Sequence, residues 1–285
     1  MRPGRGRRAE QAPPWSRRQM LALLVGAAVA AVVLLAGGFL AVVYTLRPPR
    51  PAAASGTRPA AAGPTEATAG PVTAGGATGG PAAAGDSVAS APMAAVGDAA
   101  SHPGPVSTLD PGLPLVLPPA TGAGPAGVPA GFPPTPAGAL AQLAAIDVAA
   151  VQSGSLAGAR AVLAGWAAPG GPTAASWSTV AALAALLDAA GLSGAGSPQL
   201  TLVLTPLMGQ IKGTLGPTYV VPCIDFELDV TLAQTARGAT ADCQRMTWSG
   251  GRWLIGAGPE PAPAPAVWPD TDAAINAGYR DLRHG

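Results

Sequence analysis

Charged and aromatic residues are scarce in this chain of 285 residues: 11% are charged, 4% are aromatic and only two are histidine. The formal net charge of +1 excludes a globally basic nucleic-acid-binding protein, so we expect no direct nucleic-acid contact. His102 and His284 are the only histidines, so few residues are present that could act as the base in a Ser-His-Asp or Cys-His site. The sequence contains no Walker loop, dinucleotide-binding fingerprint or H-E-x-x-H motif. We therefore expect no enzyme activity, no cofactor and no metal.

Glycine and proline, in contrast, are abundant, with 39 and 33 residues. Together they make up about a quarter of the chain, which is at the edge of the low-complexity range. Alanine is the most frequent residue of the hydrophobic 48%, and it buries little area per residue. A single packed domain over the whole length is therefore excluded.

An uncharged run from Leu21 to Tyr44 follows an N-terminus with six arginines. The hydrocarbon core of a bilayer needs about 20 apolar helical residues, and the arginines keep the N-terminus in the cytoplasm by the positive-inside rule. The sequence predicts a basic cytoplasmic tail at 1–20 and a single transmembrane helix at 21–46 in contact with membrane lipid. The rest of the chain would then be extracytoplasmic. A cleaved secretory signal is the alternative, although its apolar region is about 7–15 residues long.

Residues 47–131 are rich in proline, alanine and glycine and show no hydrophobic period. Because no stretch of this kind buries a core, we predict a disordered linker. The apolar island LPLVLPP at 113–119 is interpreted as part of this linker, with docking on the folded domain as the alternative.

Helical patterns begin at Phe132. Thr135 followed by Pro136 predicts the start of a first helix, because Thr caps helices and Pro is favoured at the first position. Ser155 is the expected cap of a second helix, and Ser176 that of a third. Apolar residues at helical spacing predict that each of the three helices buries one face.

The hydrophobic period then changes to two. Leu200, Leu202 and Leu204 alternate with polar or smaller residues, and 208–215 is interpreted as a further short strand. From Val220 to Leu232 the alternation is clearest, as in an antiparallel strand with one wet face. A hairpin follows around 249–251. Asp270 or Thr271 is expected to cap a last helix with Ile275, Tyr279 and Leu282 on one side.

Residues 132–285 therefore predict an α+β domain, cone-like, with about three helices packed on a four-stranded antiparallel sheet. Three segments resemble the nuclear-transport-factor-like domains of actinobacterial membrane-anchored proteins of unknown function. They are GFPPTPAGAL (131–140), VQSGSLAGARAVLAGWAAPGGPT (151–173) and CQRMTWSGGRW (243–253). The layout of basic tail, anchor, linker and cone is similar to bitopic scaffold proteins of conjugative and type IV secretion systems. The resemblance implies a curved sheet wrapped around helices and supplies no mechanism.

Cys223 and Cys243 are the only cysteines. Outside the cytoplasm such a pair commonly forms a disulfide. In the predicted register the two side chains meet only if the hairpin turns near Ala233. Two free thiols are the alternative, and a metal site is not expected from two cysteines without a nearby histidine.

Asp225, Glu227 and Asp229 alternate along one strand, so neighbouring carboxylates start about 7 Å apart. That separation suits an acid–base pair, as in inverting glycosidases, or a divalent-cation site. The alternative is a solvated face on which Arg237, Arg245 or Arg252 relieves the repulsion. The tryptophans also have two interpretations. Either they line a ligand pocket, or they form the core of an alanine-rich domain.

These observations favour a non-enzymatic, single-pass membrane protein that presents an extracytoplasmic binding or assembly domain. The resemblance implies a part in a conjugative-transfer or secretion assembly, in which we expect other envelope proteins as partners, with a homo-oligomer as one arrangement. A small-ligand-binding receptor is the first alternative, because a cone-shaped domain can hold an apolar pocket. A hydrolase that uses the carboxylates of 225–229 is the second.

Overall fold

The computed structural model describes residues 80–285, in which nine strands and five α-helices follow one another. The strands are β1 (Leu115–Leu117), β2 (Gly122–Ala123), β3 (Pro129–Ala130), β4 (Thr201–Leu215), β5 (Tyr219–Thr231), β6 (Thr235–Cys243), β7 (Met246–Ser249), β8 (Arg252–Ile255) and β9 (Arg280–His284). The helices are α1 (Pro81–Ser90), α2 (Pro136–Gln152), α3 (Leu156–Trp166), α4 (Ser178–Ala189) and α5 (Asp272–Asn276). Two 3-10 helices lie at Asp98–Ser101 and Pro125–Gly127.

Seven of the strands form one mixed, half-barrel sheet in the order β1-β9-β4-β5-β7-β8, with β6 paired to the same edge of β5 as β7. The β1–β9 pair is parallel, and the other pairs are antiparallel. The register of β4 against β5 shifts between Pro206 and Met208 and again between Ile211 and Gly213. Bulges of this kind bend a strand and increase its twist, which curves the sheet around the helices.

The helices α2 and α3 begin where the sequence predicts. The Thr135 hydroxyl accepts a hydrogen bond from Gly138 N, and the Ser155 hydroxyl accepts one from Gly158 N, both at 3.1 Å. The apolar stripe of α2, which includes Leu140 and Leu143, is fully buried against the sheet and the other helices. Each cap satisfies an N–H group that the first helical turn leaves without an intrahelical partner.

Two hydrophobic clusters lie on opposite faces of the sheet, because successive side chains of β5 point to opposite sides. Ile224 and Phe226 belong to the larger cluster, under the helices. Cys223 belongs to the smaller one, together with Val267 and Tyr279. Both faces of β5 are therefore covered at its centre.

The predicted four-stranded antiparallel sheet with about three helices is wrong. The bulges interrupt the alternation of β4, so the sequence suggested two shorter strands where one runs from Thr201 to Leu215. The last helix ends at Asn276, and Gly278, with φ of +90°, turns the chain into β9. Tyr279 and Leu282 therefore do not lie on the helix to which the sequence assigned them. Thr271 caps this helix, at 3.4 Å from Ala274 N.

The prediction of a disordered linker is also wrong for residues 80–131. This segment contributes α1, both 3-10 helices and three strands. The apolar island forms β1, where Leu117 is 2% exposed and β9 is the partner. Ala89 and Val128 are fully buried as well. Such isolated contacts leave no local hydrophobic period, because the surface that they cover is built from distant parts of the chain.

The predicted transmembrane helix at 21–46 lies outside the described residues, as do the basic tail and the linker up to residue 79. Within 80–285, no helix combines the length and the apolar composition that a membrane crossing requires.

Candidate functional site

A cleft opens between α2, α4 and the sheet face that these helices cover. We name it the acidic cleft. Its walls are Asp147 and Val151 of α2, one face of α4 from Ser178 to Leu186, Leu204 of β4, Phe226 and Leu228 of β5, and residues 240–242 of β6. Its volume is about 120 Å³. A cavity of about 150 Å³ holds a benzene ring, so the acidic cleft has room for a small molecule of similar size or slightly less.

Asp147 is the most unusual group in this cleft. Its residue is 2% exposed, and neither carboxyl oxygen has a hydrogen-bond partner. Burial raises the pKa of Asp147 well above its usual range, and the nearby charges of Asp242 and Glu260 raise it further. A buried polar group without a partner costs about 1–3 kcal/mol. Asp147 therefore destabilises the folded domain as long as its oxygens are unpaired, which makes it a candidate for binding a ligand.

Asp242 brings a second carboxyl to the cleft from β6. Its Oδ1 accepts a hydrogen bond from Gln244 Nε2 at 3.1 Å, whereas Oδ2 is shielded from solvent and has no partner. Burial, followed by the charge of Glu260, raises the pKa of Asp242 to about 7. The negative charge of Asp242 thus raises the proton affinity of Asp147, because two negative charges in an apolar cleft repel each other.

Glu260 lies beside the acidic cleft and binds Ser178, one of the residues that line it. Its Oε1 accepts hydrogen bonds from Ser178 N at 2.8 Å, from the Ser178 hydroxyl at 3.2 Å and from Gln244 Nε2 at 3.3 Å. Glu260 therefore caps α4 from 82 residues away. The sequence-based expectation that Ser176 caps this helix is wrong, because the Ser176 hydroxyl instead accepts from Thr173 N at 2.9 Å. Gln244 links the cap to Asp242, which fixes both carboxylates relative to α4.

Cys223 and Cys243 are paired across β5 and β6 and joined by a disulfide. The hairpin turns between Thr231 and Thr235, at Ala233, which is the turn that the sequence analysis required for the two sulfurs to meet. Both cysteines are buried under the segment that leads to α5. The bond ties the far ends of the hairpin that carries Asp242.

The acidic strand Asp225, Glu227 and Asp229 faces away from the cleft, and its members have different environments. Asp225 is fully buried, with Oδ1 accepting from Val267 N at 3.3 Å. Glu227 and Asp229 both pair with the exposed Arg237. The solvated-face alternative thus describes 227 and 229 but not 225, and no open acid–base pair results.

The other candidate residues lie outside the acidic cleft. Arg245 pairs with Asp86 of α1 at 2.7 Å, and Arg252 lies over the Trp166 ring. Trp166, Trp177 and Trp253 are buried in the core and do not line the cleft. His102 and His284 are exposed. Within residues 80–285, no group of three or more His, Cys, Asp or Glu side chains is placed to hold a metal ion.

Both cleft aspartates were missed by the sequence analysis, although a signal was present. Asp147 follows Leu140 by seven residues and Leu143 by four, so it shares the apolar stripe of α2. Asp242 comes directly before Cys243 on β6, so the two side chains point to opposite faces of the sheet, and Asp242 is paired with the inward-facing Ile224. A carboxylate at a core position of a helix or strand is the pattern that would have identified the site.

We compared the chain with protein-family models, with curated proteins and with solved structures. None matches. The resemblance to nuclear-transport-factor-like membrane-anchored proteins stays a prediction, and the acidic cleft is the feature that carries a functional conclusion.

Proposed function

We propose that residues 80–285 form a non-enzymatic binding domain whose acidic cleft takes a small ligand. The observation that carries this proposal is Asp147, a buried carboxyl with two unpartnered oxygens at the wall of an otherwise mostly apolar cleft. Binding sites are typically apolar with a few placed polar groups. A ligand that donates hydrogen bonds to Asp147 removes the cost of leaving it unpaired.

The predicted membrane helix at 21–46 supports placing this domain outside the cell membrane, with the N-terminus in the cytoplasm. The bonded pair Cys223 and Cys243 agrees with that side, because disulfides persist in oxidising compartments. In this proposal the protein is a single-pass membrane receptor for a small molecule.

The test is a thermal-shift screen of the full-length protein against compounds of up to about six non-hydrogen atoms, a limit set by the cleft volume. Ala181 and Ala182 are both exposed residues of α4, but only Ala182 lines the cleft. We expect a ligand that raises the unfolding temperature of wild type and Ala181→Phe but not of Ala182→Phe, whose ring fills the cleft. If no compound distinguishes the two variants, the cleft is not a binding site.

A second candidate is an assembly module, which the outer edge of β1 favours. Among the described residues β1 pairs only with β9, and beside that edge Leu113 is 81% and Val116 55% exposed. Apolar side chains on an unpaired strand edge favour pairing with another chain. The resemblance to conjugation and secretion scaffolds supports an envelope protein or a second copy of this chain as the partner.

A photo-crosslinking residue at position 116 tests this second candidate in intact membranes. We expect a defined adduct with a second copy or another envelope protein, and none from the same residue placed at Asp188 on α4. Recovery of the monomer alone from both positions contradicts assembly through β1.

A further inference from the structure

Building on the proposed ligand-binding function, we propose that the acidic cleft binds a primary ammonium group carried on a short apolar body. The ammonium is held by Asp147 and Asp242, and the apolar body lies against α4 and β5. The ligand class is therefore a small primary amine.

The hydrogen-bonding capacity of the cleft matches this group. Three shielded carboxyl oxygens have no partner there, namely Asp147 Oδ1, Asp147 Oδ2 and Asp242 Oδ2. A primary ammonium has three N–H donors and no acceptor. A hydroxyl has one donor, so it leaves at least two of these oxygens unpaired. Charge-assisted bonds to carboxylates are also roughly twice as strong as neutral ones.

The ionisable groups in and beside the cleft are all acidic. α2 contributes Asp147, β6 contributes Asp242, and Glu260 acts on both from the loop after β8. α4 contributes hydroxyls at Ser178 and Thr179, and β4 and β5 contribute apolar side chains. No lysine, arginine or histidine is among the residues that line the cleft. An anionic ligand is therefore repelled, and a cation is attracted.

A metal cation fits less well than an ammonium. Calcium takes six to eight oxygen ligands and magnesium about six, several of them waters. The cleft offers three unpartnered oxygens from two carboxyl groups, and Glu260 already caps α4. Its remaining walls include Leu183, Leu204 and Phe226. These suit a hydrocarbon body, which displaces water from apolar surface and fills the volume of about 120 Å³.

Binding of the ammonium is coupled to release of a proton. In the empty cleft burial keeps the aspartates protonated to higher pH than usual, with the pKa of Asp242 at about 7. Three acceptor oxygens require both carboxyls to be ionised, so binding of the cation releases each proton that Asp147 or Asp242 still holds, up to two, to the solvent, while the amine keeps its three N–H bonds. An alkylamine with a pKa near that of lysine, about 10.4, stays charged across neutral pH. Only the protein therefore titrates.

Calorimetric titration of the full-length protein with n-butylamine, 1-butanol and butyrate tests the proposal. We expect the amine to bind, the alcohol to bind at least tenfold more weakly, and the acid not to bind. The dissociation constant of the amine should fall between pH 6 and pH 8, by up to about tenfold per pH unit for each proton displaced. Buffers of different ionisation enthalpy count the displaced protons directly.

Three isosteric variants locate the site. Asp147→Asn and Asp242→Asn should each weaken amine binding by tenfold or more. Asp225→Asn makes the same change at a buried carboxyl on the other face of the sheet and should leave binding unchanged. If Asp147→Asn fails to fold, Asp242→Asn and the wild-type pH profile still decide the question.

The outcomes separate the two proposals. If 1-butanol binds as tightly as the amine and Ala182→Phe abolishes both, the ligand-binding function stands and the ammonium is overturned. An amine affinity that does not change with pH or with Asp147→Asn also overturns the ammonium. If Ala182→Phe weakens the binding of none of these compounds, both proposals fail.

Discussion

The carboxyl of Asp225 lies between β5 and the segment that leads to α5, fully shielded from solvent. Burial raises its pKa from 3.8 to about 8, and the hydrogen bond from Val267 N opposes this shift only partly. The unfolded chain loses this proton near pH 4, whereas the folded chain keeps it until about pH 8. The folded state thus binds more protons within this window, so Asp225 makes the free energy of unfolding fall as pH rises.

Replacing Asp225 with Asn should remove this part of the pH dependence. The amide is neutral at every pH, and its oxygen can still accept from Val267 N. We expect Asp225→Asn to raise the free energy of unfolding by roughly 2–5 kcal/mol at pH 8, since each pKa unit corresponds to about 1.4 kcal/mol. Near pH 4 the difference should be small. Urea unfolding at both pH values measures it.

Asp229→Asn is the control for this change. Asp229 lies on the same face of β5 as Asp225, but it pairs with the exposed Arg237 of β6. We expect it to give no gain at pH 8. Equal pH slopes for wild type and Asp225→Asn would show that the folded protein does not hold this proton.

At the scale of single residues, spacing predicted which side of β5 a side chain faces but not what covers that side. Glu227 and Asp229 face solvent and Arg237, as one alternative described. Asp225 has the same orientation but lies under Val267, 42 residues further along the chain. An alternating pattern carries no information on a covering segment that is itself proline-rich and irregular.

The N-terminus of α4 depends on one acceptor, Glu260 Oε1. Its negative charge also interacts favourably with the positive end of the helix dipole. We expect Glu260→Ala to lower the free energy of unfolding by about 1 kcal/mol, which is the usual loss on removing a cap. The same change frees Gln244 and should lower the pKa of Asp242, because a neighbouring negative charge is removed. Denaturant unfolding measures the first effect and carboxyl chemical shifts the second.

Asp188→Ala is the matched control, because Asp188 is an exposed acid near the C-terminal end of the same helix, where it opposes the dipole. It should be neutral or slightly stabilising. If both variants lose the same free energy, the effect reflects α4 as a whole and not a cap supplied by Glu260.

At the scale of elements, the sequence predicted the features with local causes. Thr135, Ser155 and Thr271 cap helices through residues three positions away; the first two caps were predicted, and Thr271 was one of two alternatives. The cap of α4 comes from a distant loop, so Ser176 was assigned in its place. For the same reason β1 was not assigned as a strand, because three residues become a strand only when β9 lies beside them.

At the scale of the whole molecule, residues 80–131 supply hydrogen-bond acceptors to two buried groups of the helices and to one partly buried side chain of the sheet. Trp166 Nε1 donates to Pro125 O at 3.1 Å, and Gln142 Nε2 donates to Pro129 O at 3.0 Å. On the other face, Lys212 Nζ donates to Ala89 O at 2.8 Å. Alanine, proline and glycine fill this role with backbone carbonyls, which composition alone does not reveal.

A fragment that begins at residue 132 should therefore be much less stable than one that begins at residue 80. The shorter fragment removes β1 from beside β9 and exposes the surfaces that Leu117 and Val128 cover. It also removes the hydrogen bonds that Trp166 Nε1 and Gln142 Nε2 donate to Pro125 O and Pro129 O, at about 0.5–1.5 kcal/mol each. Because a domain of this kind has a total stability of about 5–15 kcal/mol, we expect a lower unfolding temperature and a broader transition.

Hydrogen exchange would show where the shorter fragment loosens. β9 loses its parallel neighbour β1, so its amides should exchange fastest, followed by the C-terminal turn of α3 next to the lost Pro125. The centre of the β5–β6 hairpin should stay protected in both fragments, because the disulfide and its own ladder hold it. Equal unfolding temperatures and equal protection in β9 would instead mean that residues 80–131 rest on the domain without stabilising it. A linker that reaches residue 131 would then be the better description of this part of the chain.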